Sequence, residues 1–365
     1  MSGRQRGLEI RTVDYHTAGE PFRIVTAGLP PIPGESVAER RAIALRPVAG
    51  GAGVGACLGA DRGVLRGGVA SVGRIPRPGP LETVRRLLTR EPRGHAGMYG
   101  GFLVPPDDDE AQLGVLFFHQ DGYSTACGHG TMALGAWAVD SGLVAAPDDG
   151  TARVWLDVPS GRVAALVHRS AGRTTAVTFR NVPTRVLARK LPVATSLGTL
   201  EVDVADSGAC YASLAVPAVP AVAAGGPFVG VRPAALPALV ALAGEIRGAL
   251  LAEYDLYGVI FHQELPDTEA GPNQRSVTVF ADGQIDRSPC GSGTSARLAL
   301  LAADGLLGPG QELRHESVIG TVFTGRVLGE HPDGVLTEVT GQAHRTGEHC
   351  FVLDPTDALG TGFLL

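Results

Sequence analysis

The chain holds a single lysine, Lys190, against thirty arginines in its 365 residues. A pyridoxal phosphate enzyme needs a lysine for its Schiff base. Lys190 lies in an ARKLPV stretch with no motif around it, so that chemistry is not expected. Excess positive charge is also missing. The formal net charge is −6 with 19% charged and 44% hydrophobic residues, which describes a globular chain and offers no basic surface for nucleic acid. The opening MSGRQRGLEIRTVDYHTAGEP has no apolar run of signal-peptide length, and no later stretch gives the roughly 18 uninterrupted apolar residues of a membrane span. A cytoplasmic location without membrane partners is the expectation.

Five cysteines, Cys57, Cys127, Cys210, Cys290 and Cys350, are odd in number, widely spaced and without a CxxC pair. That suits neither a disulfide framework nor a zinc ribbon, so reduced thiols are expected. Metal motifs are equally thin. His262-Gln-Glu264 with Pro289-Cys290 begins to look like a zinc deaminase, but Gly293 stands where a second thiolate ligand is required. H-E-x-x-H is absent, and no metal and no cofactor are expected.

What is present is a repeated α+β grammar. LEIRTVDYHTAGEPFRIVTAG reads as two strands around a loop at 16–21, ESVAERRAIAL opens a helix, and residues 46–80 form a glycine-rich insertion without a period. LETVRRLLTR is an amphipathic helix, followed by strand-like EPRGHAGMYGGFLVP and LGVLFFHQDGY and by further strands to about residue 190. The pattern then restarts, with strands TLEVDVADSG and ACYASLAV, the helix ALPALVALAGEIRGALLAEY, and strands YGVIFHQEL and RSVTVFADGQID. Two halves are expected, 1–190 around Cys127 and 191–365 around Cys290, the last residues packing back on the first half.

The duplication is visible residue by residue. CGHGTMALGAWAVDSGLV from Cys127 lies without a gap on CGSGTSARLALLAADGLL from Cys290, 163 residues later, and eight of eighteen positions coincide. Both copies run from turn residues through a helix of about three turns to a glycine stop. Each thiol therefore sits at a helix N-terminus, where free N–H groups and the dipole favour an anion and a lowered thiol pKa is expected. Flanking glycines let backbone amides approach a ligand closely. If the halves face each other, one thiolate can remove a proton from a tetrahedral carbon while the other thiol returns one to the opposite face. Helix-terminal amides would hold the substrate carboxylate and the charge that develops on deprotonation.

Asp286, four residues before Cys290, could hold a substrate ammonium, or else pair with Arg287 or cap a turn. His129 could be a neutral hydrogen-bonding group over the substrate or a polar turn residue. Other chemistries fit less well. Cys290 and Arg297 are C-x6-R rather than the C-x5-R of cysteine phosphatases, and the glycines at 51–59 follow no clear strand for a dinucleotide site. A two-lobed module that clamps a small carboxylate without turning it over would share the same cradles.

These motifs resemble the proline racemase family over nearly the whole chain: DYHTAGEPFRIV, EPRGHAGMYGGFLVP, GYSTACGHGT, DRSPCGSGTSAR, HESVIGTVFTGRV and the terminal GFLL. The resemblance implies a diaminopimelate-epimerase-like α+β fold, two pseudo-symmetric halves, each a curved antiparallel sheet around a central helix, with the site in the cleft between them. It implies Cys127 and Cys290 as paired acid and base, Gly128, His129, Gly291 and Ser292 as substrate-binding turn positions, Asp286 as the partner of the substrate nitrogen, and Phe280 as an aromatic wall. The activities implied are, in order, proline racemase, 4-hydroxyproline 2-epimerase and trans-3-hydroxy-L-proline dehydratase. Dehydratases of the family typically have Thr or Ser for one cysteine, and both thiols are kept here. Ala126 stands where a Met is usual, and Cys57 has no family counterpart. The expected partner is a small-molecule substrate, proline or a hydroxyproline, with a homodimer as the candidate assembly.

Overall fold

The structure is a computed structural model that describes residues 8–46, 79–216 and 230–364. Most of the glycine-rich segment expected at 46–80, Cys57 included, lies outside the described residues. The first half supplies β1 (Leu8–Thr17), β2 (Glu20–Ala27), β3 (Gly100–Val104), β4 (Leu113–His119), the short β5 (Gly122–Tyr123), β6 (Gly150–Val158), β7 (Gly161–Ser170) and β8 (Arg173–Arg180). The second supplies β9 (Arg185–Thr195), β10 (Gly198–Asp206), β11 (Cys210–Ala215), β12 (Leu256–Thr268), β13 (Gly271–Phe280), β14 (Leu313–Ser317), β15 (Val322–His331) and β16 (Gly334–Gly341). A last strand, β17 (Ala343–Leu353), returns to pair antiparallel with β1 over the whole of β1. Five helices are described: α1 (Val37–Ala44), α2 (Pro80–Thr89), α3 (Gly128–Asp140), α4 (Leu236–Leu250) and α5 (Gly291–Ala303).

Pairing runs β17-β1-β2-β3-β4-β6-β7-β8 in the first half and β9-β10-β11-β12-β13-β14-β15-β16 in the second, and β8 joins β16 in the middle. Read outward from that join, the two halves repeat the same sequence of pairings. Each is antiparallel except at two steps: β2–β3 and β4–β6 in the first half, β11–β12 and β13–β14 in the second, are parallel. The expected curved antiparallel sheets thus each carry two parallel steps. Parallel neighbours need a crossover, and the crossovers are the helices themselves: α1 and α2, or α4, at the outer step, and α3 or α5 at the inner one.

Burial follows from this wiring. Helix α3 is apolar on nearly every side and packs on β1, β2, β6, β7, β8 and β17, while α5 packs on β9, β10, β11, β15 and β16. A helix hydrophobic all round must be wrapped on all sides, and the curved sheets do that. Outside, Val84, Leu87 and Leu88 of α2 pack with Phe102, Leu116 and Phe118. Helix α4, with the turn before it, is long and apolar enough by length and composition to cross a membrane. Its Leu239, Leu242, Ala243, Ile246 and Leu250 are nevertheless buried in a cluster with Val193, Val259 and Phe261 of the second sheet.

Both central helices are 13 residues long and end on a C-cap of φ −83°, ψ −7°, followed by a glycine in the left-handed region, Gly142 at φ 75° and Gly305 at φ 70°. Their N-termini meet at glycine. A Cβ added to Gly128 would lie 2.7 Å from Gly291 Cα, and one added to Gly291 the same distance from Gly128 Cα. Because backbone faces backbone, neither side can yield. Gly128→Ala is expected to destabilise the protein by about 1–3 kcal/mol and to force the two termini apart, seen as a lowered denaturant midpoint together with lost activity.

Candidate active site

The threonine shared by the two cysteine motifs fixes each cysteine as the N-cap residue of its helix. Thr131 donates to the Cys127 carbonyl from its amide and its hydroxyl, both at 2.9 Å, and Thr294 does the same to Cys290 at 2.7 Å from each. A second hydroxyl per half pins the first turn from outside: Thr17 on the His129 carbonyl and Ser207 on the Ser292 carbonyl, both at 2.9 Å. The two thiols differ locally. Cys127 is extended and its Sγ accepts the Gly130 amide at 3.3 Å, with the His129 ring nitrogen 3.5 Å away. Cys290 sits at φ 67°, a left-handed conformation that costs a non-glycine residue about 1–3 kcal/mol and persists where surrounding structure over-determines it.

One narrow pocket lies against both thiols, and all eight residues singled out in the sequence line it: Cys127, Gly128, His129, Phe280, Asp286, Cys290, Gly291 and Ser292. Asp286 is fully buried. Its Oδ1 accepts the Ser288 amide at 2.8 Å and hydroxyl at 2.7 Å, while Oδ2 has no partner. Arg287 does not neutralise it by contact. That guanidinium and the Arg287 amide both go to Glu20, at 2.9 and 2.8 Å. A buried carboxylate oxygen without a partner is costly.

His129 lies edge-on to Phe22 and Tyr99, with ring centroids at 5.7 and 5.1 Å. Burial lowers its pKa to about 3, and the Arg287 charge pushes the same way, so the imidazole is neutral. For the thiols the structure overturns the sequence expectation of lowered pKa values. Burial pushes both up, and the negative charge of Asp286 adds to it; the Gly130 amide draws Cys127 partly back, as the Gly293 amide and the Tyr211 and Thr278 hydroxyls draw Cys290. Desolvation outweighs the helix terminus because no cation shares the cavity. The Asp286 carboxyl is also raised by burial, and Glu20 is raised well above the usual carboxylate range by burial and by the neighbouring Asp286.

Sequence reasoning missed Glu20, although its DYHTAGEP motif was visible, and missed Tyr99, Tyr211 and Tyr257, which complete the cavity wall. Tyr99 stands in the quoted EPRGHAGMYGGFLVP, yet nothing local distinguishes a wall tyrosine from a core one. Only the fold brings Tyr99 Oη within 2.7 Å of Tyr257 Oη, 158 residues away. Among the described residues, no group of three His, Cys, Asp or Glu side chains is placed to hold a metal ion.

Two matched helix N-termini, two N-cap cysteines and one buried carboxylate meet at a single pocket between the two halves. The chain belongs to the proline racemase family, whose model matches residues 79–364. It is 37% identical to a trans-3-hydroxy-L-proline dehydratase of Burkholderia cenocepacia and to a 3-hydroxyproline 2-epimerase of Burkholderia multivorans, covering 98% of this chain and of each relative. The solved hydroxyproline epimerase of Agrobacterium vitis, with bound trans-4-hydroxy-L-proline, superposes with a TM-score of 0.81 at 25% identity, over 100% of this chain and 96% of that one. Such relatives make the chain an enzyme of the proline racemase family and bear out the fold expected from the sequence.

Proposed function

We propose that the protein is a cofactor-independent racemase or epimerase that inverts the α-carbon of proline or a hydroxyproline, with Cys127 and Cys290 as the two proton-transfer groups. The observation that carries this is the pair of thiols from the two N-cap cysteines on one pocket with the orphaned Asp286 oxygen. The substrate ammonium pairs with Asp286. The carboxylate lies over the first amides of α3 and α5, which have no partner within their helices. One cysteine, as thiolate, takes the α-proton and becomes a thiol. The electron pair left on carbon delocalises into the carboxylate, where the helix amides stabilise the added charge. The opposite thiol then donates its proton to the other face and is left as thiolate, so turnover exchanges the two roles. A bound ammonium also brings a positive charge beside both thiols, which favours their thiolate forms.

The relatives' names favour a second reading, dehydration of trans-3-hydroxy-L-proline, in which one thiolate removes the α-proton and the ring hydroxyl leaves with a proton instead of Cα being reprotonated. Separate incubations with L-proline, trans-4-hydroxy-L-proline and trans-3-hydroxy-L-proline in D2O, followed by proton NMR, decide between them. Epimer bearing α-deuterium is the expected product. A dehydrated product alone selects the second reading, and unexchanged α-protons in all three would leave only a binding module. Asp286→Asn keeps the shape but removes the charge. It is expected to raise KM for the active substrate by about 10- to 100-fold, the worth of a hydrogen bond to a charged group.

A further inference from the structure

The two thiols hold matched places in a duplicated frame, but the side chains around them do not match. Strands β2 and β11 correspond, each following the hydroxyl residue that pins a helix turn, Thr17 or Ser207. The ring that β2 sets against the Cys127 turn is Phe22: a Cβ on Gly130 would lie 2.4 Å from that ring and 2.7 Å from Cys127 Sγ. On β11 the ring is Tyr211, whose Oη lies 3.8 Å from Cys290 Sγ. Strands β4 and β13 differ likewise. Phe117 precedes the pairing of Phe118 with Tyr123, and Thr278 precedes the bridge from Val279 to Ile285. A Cβ on Gly293 would lie 3.0 Å from Cys290 Sγ and 3.3 Å from Thr278 Oγ1, a buried hydroxyl with no other hydrogen bond.

A third difference lies inside the helices. The gapless match of the two motifs sets Leu134 of α3 on Arg297 of α5. Leu134 packs in the apolar cluster that also holds Cys127, Phe22 and Phe117. Arg297 is buried as well, yet its hydrogen bonds go to neutral groups, Gln274 Oε1 at 3.2 Å and Ser213 Oγ at 3.1 Å. Burial lowers its pKa to about 10, which leaves it charged at neutral pH. Of the carboxylates that act on it, Asp203 and Asp304 are bonded to Arg189, and Glu264 is mostly exposed. Seven residues, about 10 Å of helix axis, separate Arg297 from Cys290, and helical side chains lean towards the N-terminus. The charge reaches the first turn of α5: burial and Arg297 together lower the pKa of His315, which is bonded to Thr294. Asp286 opposes ionisation of both thiols, and Glu20 adds to it at Cys127. His129, Tyr99 and Tyr257 carry no charge, because burial lowers the first and raises the other two.

We infer that Cys290 is the first of the two thiols to ionise, so that the enzyme meets its substrate with the thiolate in the second half and the proton on Cys127. Tyr211, Thr278 and Arg297 set this asymmetry. The inference rests on the two-thiol reading above, and it adds that the isomer whose α-hydrogen faces Cys290 meets the abundant form of the enzyme, while the other waits for the minor form and has the higher KM. Iodoacetamide reacts with the thiolate, and both sulfurs line one pocket, so limited labelling at pH 8 with peptide mass spectrometry compares them directly. Cys290 should be labelled faster. Tyr211→Phe and Arg297→Met should each slow Cys290 by about 3- to 10-fold, through a lost donor and a lost charge, and leave Cys127 unchanged. Arg297→Lys should restore the Cys290 rate. A merely structural disturbance would move both thiols together. Faster labelling of Cys127 in the unaltered enzyme, a ratio unchanged in both variants, or equal changes at both thiols would overturn the inference. Tyr211→Phe, which keeps the ring, decides if Arg297→Met does not fold. Labelling needs no turnover. If Tyr211 and Arg297 control Cys290 yet Cys127→Ser and Cys290→Ser both still invert substrate, the asymmetry stands and the two-thiol reading falls.

Discussion

Replacing either Cys127 or Cys290 by serine is expected to lower inversion by about 10³-fold or more while the fold is kept. General acid and base groups typically contribute 10²- to 10⁴-fold each. An alcohol is a far weaker acid than a thiol, so serine cannot reach the charged form that removes a proton, and it donates one poorly. The size change is small, and the capping contacts of Thr131 and Thr294 go to the cysteine carbonyls rather than to sulfur, so both helices keep their first turns. The two single variants should also fail differently. Each keeps one thiol on one face of the substrate, so each can still exchange the α-proton of one isomer but cannot complete the inversion. Circular dichroism establishes folding, and polarimetry with NMR measures turnover. Full inversion by a folded single variant would contradict the pairing.

The second large effect concerns acid. His129 and His315 are buried, and burial together with arginine charge holds each near a pKa of about 3; His262 is depressed for the same reasons. An unfolded histidine titrates near 6.5, so below that pH the unfolded chain binds protons that the folded one refuses. Stability is therefore fully present above about pH 6.5 and falls as pH drops towards 3, by about 1.4 kcal/mol per pH unit for each such group. At pH 4.5 His129 and His315 alone cost about 5 kcal/mol, comparable with the whole stability of a modest domain. Glu20 and Asp286 act in the opposite sense, because their raised pKa values let the native state take protons first, but that pair stands against six lowered histidines, since burial also lowers His16, His95 and His119, the last to about 3. Urea midpoints followed from pH 7.5 to 4.5 should fall steadily below pH 6.5. His315→Asn, which removes a side chain bonded at 2.8 Å to Thr294 Oγ1, should lower stability at neutral pH and flatten the slope. A midpoint constant down to pH 4.5 would contradict this account.

The legible part of the site was the part that repeats. CGHGT and CGSGT mark the two thiols, the amides and the capping threonines because each feature is local, set within five residues of the cysteine. Asp286 and Phe280 were legible through family motifs, yet the reason Asp286 remains available, Arg287 being occupied by Glu20 from the other half, is a contact across 267 residues. The tyrosine cluster was illegible for the same cause, since hydroxyls that meet only after two sheets close leave no pattern in a strand. Thiol ionisation was misread because a helix terminus is visible in sequence and burial is not. The parallel steps were missed because alternation within a strand does not reveal its neighbour's direction; the crossover helices do, and at the inner step of each half that helix is the one capped by the cysteine.

Initial turnovers in D2O test the two-thiol claim most directly. Each thiol draws its transferable proton from solvent, so product formed early should hold deuterium at the α-carbon while unreacted substrate keeps protium. Deuterium entering recovered substrate as fast as product, or product that retains the substrate's own proton, would show a single group serving both faces and would contradict the assignment of Cys127 and Cys290 as a pair.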